Sequence, residues 1–125
     1  MILLDSNVVI YSTQVAPEFD ILRQYLVGHR HCVSLITYVE VLGFHKIKEE
    51  EKTFLIDFFE ATPVLPVTDG IASRAIELRQ ERNIKLGDAI IAATAIVEGL
   101  PLVTRNTKDF KWITSLTLID PFTVR

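Results

Sequence analysis

Four acidic residues stand in places where a carboxylate needs a reason. Asp5 ends the wholly apolar run Ile2-Leu3-Leu4, and Glu40 lies between Val39 and Val41. Asp88 heads the apolar segment Ala89 to Val97. Asp109 closes the stretch Thr104-Arg105-Asn106-Thr107-Lys108-Asp109, which crowds hydroxyl, amide, cationic and carboxylate groups together. Each has an ordinary role on its own. Asp5, Asp88 and Asp109 can be turn residues or helix caps. Glu40 can sit at the edge of its apolar stripe and reach water, or be paired, protonated or metal-bound, because burying a bare charge costs too much. If the four converge, their mutual repulsion calls for a cation. Oxygen donors without a His or Cys cluster select a hard ion, Mg²⁺ or Mn²⁺. His29 and His31 flank a short strand that holds Cys32, but they are too few for a soft-metal site. With His45 they read as surface or edge residues.

The elements that must position these acids follow from the pattern. Ile2 to Leu4 reads as a buried strand of a parallel sheet. Pro17 to Val27 has helical spacing at Phe19, Leu22 and Leu26, and Gly28 closes it. His31 to Ser34 reads as a second strand, with Ser34 capping a helix through about Phe44. Glu49 to Glu60 carries Phe54, Leu55, Phe58 and Phe59 at helical spacing, and Pro63 to Val67 is a third strand. Thr68 or Asp69 caps a helix with Ile71, Ala75 and Leu78 on one face. Gly87-Asp88 opens the helix Ala89 to Glu98, apolar all round and therefore central, which stops at Gly99. Leu102 to Thr104 and Leu116 to Ile119 complete five strands. Strands alternating with helices predict a three-layer α/β/α sandwich around a central, mainly parallel five-stranded sheet, as one domain over 1–125. In such sheets, sites form beyond the carboxyl ends of the strands.

Composition agrees with a folded domain. The chain has 125 residues, 49% of them hydrophobic and 23% charged, which is ordinary for a globular protein and wrong for a disordered one. A net charge of −3 argues against coating nucleic acid by bulk charge, though not against gripping it locally. One cysteine, Cys32, allows no internal disulfide and points to the reducing cytoplasm. No signal-peptide pattern opens the sequence, and the run Ala89 to Val97 is far short of the roughly 20 residues a bilayer requires.

The order of these motifs resembles a known family. Asp5-Ser6-Asn7-Val8, then Ser34-Leu35-Ile36-Thr37 with Glu40, then Asp88-Ala89-Ile90-Ile91-Ala92-Ala93-Thr94-Ala95, then Leu102-Val103-Thr104-Arg105-Asn106 with Asp109-Phe110, is similar to PIN-domain ribonucleases. Within them it is most like the VapC-like toxins of toxin–antitoxin pairs. The likeness spans nearly the whole chain, with Ser6 where many relatives carry Thr. It implies a metal-dependent endoribonuclease in which Asp5, Glu40, Asp88 and Asp109 form the acidic, metal-holding cluster. Ser6, Thr104 and Asn106 would be auxiliary groups that orient it. It also implies an RNA substrate, a cognate antitoxin that occupies the active-site groove, and a homodimer. A carboxylate-held Mg²⁺ or Mn²⁺ would acidify water, orient the phosphate and stabilise the leaving oxygen. Arg105, Lys108 and Lys85 are the candidate partners of RNA phosphates, with ordinary surface charge as the bland alternative. Tyr11 and Tyr38 could stack bases, but packing is the simpler role.

Two other readings compete. A phosphoacceptor receiver would use Asp69 after the third strand and Thr104 after the fourth, and would leave Glu40 and Asp109 without a role. A catalytically silent PIN-like binding module would have no need for four converging charges.

Overall fold

A computed structural model describes residues 1–123, so the last two residues of the expected 1–125 domain lie outside the described residues. Strand β1 (Ile2–Leu4) is the centre of a five-stranded sheet. β2 (His31–Ser34) and β4 (Leu102–Val103) flank it, with β3 (Val64–Leu65) and β5 (Leu118–Ile119) at the edges, in the order β3-β2-β1-β4-β5. All four pairings are parallel. Leu3 lies level with Cys32 and Leu102, and Leu4 with Val33 and Val103. Because strand side chains alternate, these rows face opposite ways.

Leu3, Cys32 and Leu102 enter one core, with Ile71, Ala75 and Leu78 of α5 (Asp69–Glu81) and Ala89, Ala92 and Ala93 of α6 (Leu86–Glu98). Ile2, Leu4, Val33 and Val103 enter the other. There they meet Val8 and Val9 of α1 (Ser6–Tyr11), Leu22 and Leu26 of α2 (Asp20–Val27), Val41 of α3 (Leu35–Leu42), and Leu55 and Phe59 of α4 (Glu49–Ala61). Two cores on two faces make the expected three layers. Each large aliphatic side chain buried in them contributes about 1.5–3 kcal/mol. Among the described residues no helix is long and apolar enough to cross a membrane.

The strand order creates a switch point. From β1 the chain moves outward through β2 to β3, then returns to the far side of β1 as β4. After β1, α1 packs into one core; after β4, α7 (Thr107–Phe110) sends Phe110 into the other. The segments leaving these adjacent strands therefore part to opposite faces and open a crevice at their carboxyl ends.

Several elements depart from expectation. Helix α1 was not anticipated: Val8, Val9 and Ile10 are weak helix formers, and burial of Val8 and Val9 overrides that preference. The expected helix Pro17 to Val27 divides into a 3₁₀ turn, Pro17–Phe19, and α2. Helix α6 starts at Leu86 with Lys85 at its cap position, so Asp88 lies within the first turn and is not the cap. The Ala89 N–H already bonds to the Lys85 carbonyl, which carries the helix past Gly87. The receiver reading fails on topology. That architecture puts its third strand beside the first, whereas β3 here is an edge strand and Asp69 begins a helix beyond it.

Candidate active site

Asp5 stands at the switch point and does two jobs. As the cap of α1, its Oδ1 accepts the Ser6 N–H at 2.7 Å. Its Oδ2 accepts the Thr104 hydroxyl at 2.8 Å from the end of β4. Asp5 is only 4% exposed, and burial pushes its carboxyl up to about 6. The bonds from Thr104 and Ser6 oppose that rise, while the charges of Asp88 and Glu40 add to it. Thr104 in turn accepts the Asn106 N–H at 3.0 Å, which shapes the turn into α7.

Glu40 comes from α3 and is exposed, so the edge reading of this residue is correct. It also joins the cluster. The Ser6 hydroxyl donates to Glu40 Oε1 at 2.8 Å and meets Thr37 Oγ1 at 2.9 Å. The first turn of α6 passes so close that a Cβ on Gly87 would lie 2.3 Å from Glu40 Oε2. Gly87 is thus the cradle that admits this carboxylate.

Asp88 and Asp109 share a cleft of about 310 Å³ with Asn83, Ile84 and Lys85. Burial raises the Asp88 carboxyl; Lys85 pulls it down, and Glu40 and Asp109 push it up. Asp109 is exposed on α7, and its backbone carbonyl accepts the Trp112 indole N–H at 3.1 Å. The structure therefore gathers Asp5, Glu40 and Asp88 within electrostatic reach of one another and sets Asp109 beside Asp88. Ser6 and Thr104 bond directly to these acids, whereas Asn106 acts through its backbone on Thr104.

Of the three candidate phosphate partners, Lys85 borders the acidic cleft and Lys108 is exposed on α7. Arg105 is differently placed. Its guanidinium lies 5.2 Å from the Tyr11 ring centre and 4.4 Å from that of Phe122. Tyr11 itself stacks on Phe19 and meets Phe122 edge-on, in keeping with its simpler packing role. The histidine reading also stands: His29 stacks on Tyr25 and His31 on Phe58, near the start of β2 and away from Asp5.

The donor set suits a hard cation. The converging side chains offer oxygen alone, and like charges combine with burial to hold two carboxyls above their ordinary range. Among the described residues, no three His, Cys, Asp or Glu side chains stand close enough together, as placed here, to hold a metal ion. The arrangement is an open crevice whose acids an ion would bring into balance. The sequence pattern gave no role to Thr37, and to Gly87 only the opening of a helix. A helical hydroxyl three residues before Glu40, on the same face, was the available sign for the first.

A family model described as the PIN domain matches residues 2–114. The ribonuclease VapC10 of Mycobacterium tuberculosis is 32% identical over 119 residues, spanning 88% of this chain and 86% of its own. A toxin–antitoxin complex from Klebsiella pneumoniae contains a chain similar over 99% of this one and 100% of its own, at 33% identity and a TM-score of 0.79. A DNA-bound VapBC from Salmonella typhimurium matches 97% of this chain and 99% of its own, at 27% identity and a TM-score of 0.82.

Proposed function

The chain belongs to the PIN-domain family, and from that premise we propose that it is a divalent-metal-dependent endoribonuclease, the toxin of a toxin–antitoxin pair. The observation that carries this reading is the bond between Asp5 and Thr104 at the switch point, with Glu40 and Asp88 in electrostatic reach of the same carboxylate. Its similarity to a VapC ribonuclease and to chains of toxin–antitoxin complexes supports the RNA substrate and the antitoxin partner. The proposed assembly is a homodimer, and the proposed place of action is the cytoplasm, where its RNA lies.

In this reading Asp5, Glu40, Asp88 and Asp109 hold Mg²⁺, or Mn²⁺ in its place. When bound, such an ion supplies an acidified water and charge neutralisation at the scissile phosphate. The rest falls to the chain's own groups. Thr104 and the Ser6 N–H keep Asp5 ionised against its burial, and each holds one of its oxygens. The Ser6 hydroxyl fixes Glu40 Oε1. Lys85 stabilises the charged form of Asp88 and stands where a substrate phosphate would approach the cleft. Lys108 extends that cationic margin along α7, whereas Arg105 is held against Tyr11 and Phe122.

The test is RNA cleavage by wild type, Asp5→Asn and Asp88→Asn, with Mg²⁺ and with chelator. Discrete cleavage that requires Mg²⁺ and is lost in both variants is expected. Cleavage that survives chelator and both substitutions would overturn the reading. An inactive wild type that still binds RNA would favour the silent binding module.

A further inference from the structure

Thr37 lies on α3 three residues before Glu40, and it is completely buried. A helical threonine commonly turns its hydroxyl onto the carbonyl four residues back. Thr53 does so onto Glu49 at 3.0 Å, and Thr94 onto Ile90 at 2.7 Å. The Thr37 hydroxyl instead meets Ser6 Oγ at 2.9 Å. Hydrogen counting sets the direction of that bond. Ser6 has one hydroxyl hydrogen, and it goes to Glu40 Oε1, a carboxylate oxygen that can only accept. Thr37 must therefore donate and Ser6 accept.

We infer that Thr37 is a positioning residue of the acidic site: its buried hydroxyl locks the Ser6 hydroxyl into donating to Glu40. Ser6 spans two carboxylates, its N–H on Asp5 Oδ1 and its O–H on Glu40 Oε1. The N–H is fixed by the backbone. The O–H is a rotor with three staggered wells, and a donor on its oxygen closes off the competing orientation that would aim it at Thr37. Thr37 is that donor, held by a helix and sealed from water. With Oε1 so engaged, Glu40 Oε2 is the oxygen turned toward Gly87 and the first turn of α6. The chain Thr37→Ser6→Glu40 thus orients a carboxylate that is itself exposed and would otherwise swing freely.

This inference rests on the proposed metal-holding role of Glu40, and its test separates the two. Mn²⁺ binding is measured by calorimetry, and RNA cleavage in Mg²⁺, for wild type, Thr37→Val, Thr37→Ser, Ser6→Ala and the double variant Ser6→Ala/Thr37→Val. Partners that orient metal-holding groups are commonly worth 10–100-fold in affinity. Thr37→Val is expected to weaken Mn²⁺ binding about tenfold or more and to lower kcat more than it raises KM. Thr37→Ser should restore both. The double variant should be no worse than Ser6→Ala, because Thr37 acts only through Ser6. Wild-type Mn²⁺ affinity in Thr37→Val, or additive losses in the double variant, would overturn the inference alone. So would a Thr37→Val protein that unfolds where Ser6→Ala stays folded, since a group working through Ser6 cannot matter more than Ser6. A wild type that neither binds Mn²⁺ nor cleaves RNA would overturn the functional reading, and this inference with it.

Discussion

The Thr104 hydroxyl donates to Asp5 Oδ2 at 2.8 Å, joining residues 99 positions apart across the two strands that flank the switch point. The bond favours the charged form of a buried carboxyl, so removing it must push that carboxyl above about 6. Thr104→Val should therefore move the acid limb of the kcat/KM profile to higher pH and lower activity at neutral pH. A hydrogen bond to a charged group is worth roughly 1.5–3 kcal/mol, or about tenfold to a hundredfold in rate. Thr104→Ser should keep the wild-type profile. An unmoved limb in Thr104→Val would show that Asp5 does not set it.

The same carboxyl makes metal-free stability depend on pH in a definite direction. Asp5 is raised from 3.8 to about 6 in the folded chain, so between those values the native state binds more protons than the unfolded state. Stability then falls as pH rises from about 4 to about 6 and levels off above, by about 3 kcal/mol in all. Asp88 shifts in the same direction and adds to the slope. Urea denaturation of metal-free protein at pH 5 and pH 7.5 is expected to find the lower value at 7.5. Asp5→Asn should flatten the difference, and Mg²⁺ should stabilise wild type more at pH 7.5 than at pH 5.

How far the site was legible varied with the kind of signal. The run Ile2 to Leu4 ending in Asp5 was readable, because a central parallel strand is covered on both faces and buries consecutive apolar residues. The apolar helix after Asp88 was readable for a similar reason. Strand order was not. Val64–Leu65 and Leu102–Val103 are both two-residue apolar strands, and nothing in their composition says which will lie beside β1. Yet that choice brings Thr104 to Asp5. Helix α1 was hidden because β-branched Val8, Val9 and Ile10 resemble a strand continuation until their burial is known. The starting residue of α6 moved for want of a capping side chain: Lys85 holds that position with no side-chain hydrogen bond.

Arg105 should separate from the lysines in its effect. Its guanidinium lies against Tyr11 and Phe122, and its ion pair with Glu18, 3.9 Å long, joins two well-exposed side chains and adds little. Arg105→Ala is expected to lower stability by about 1–2 kcal/mol through the lost aromatic contacts. Lys108→Ala should change stability by no more than about 0.5 kcal/mol. It should instead raise KM for RNA and reduce the logarithmic salt slope of RNA binding by about 0.7, the share of one single-strand phosphate. Thermal melts and binding titrations over a salt series measure both. A Lys108→Ala slope equal to wild type would remove that residue from the RNA contact.

Gly87 offers a way to separate the site's geometry from the fold's stability. It is the second residue of α6, where alanine is ordinarily the better helix former by roughly 0.5–1 kcal/mol. A Cβ there would stand 2.3 Å from Glu40 Oε2 and 2.9 Å from its Cδ, and the nearest atoms it meets all belong to Glu40. Glu40 is exposed, so its side chain can swing out to water and relieve the clash without disturbing either core. Swinging out breaks the bond from Ser6 and takes the carboxylate away from Asp5 and Asp88. Gly87→Ala should therefore melt no lower than wild type, yet lose at least about tenfold in Mn²⁺ affinity and in cleavage rate. In a Glu40→Ala background the clash disappears, and Gly87→Ala should then cause no further loss. If Gly87→Ala retains full activity, the position of Glu40 seen here is not the one the reaction uses.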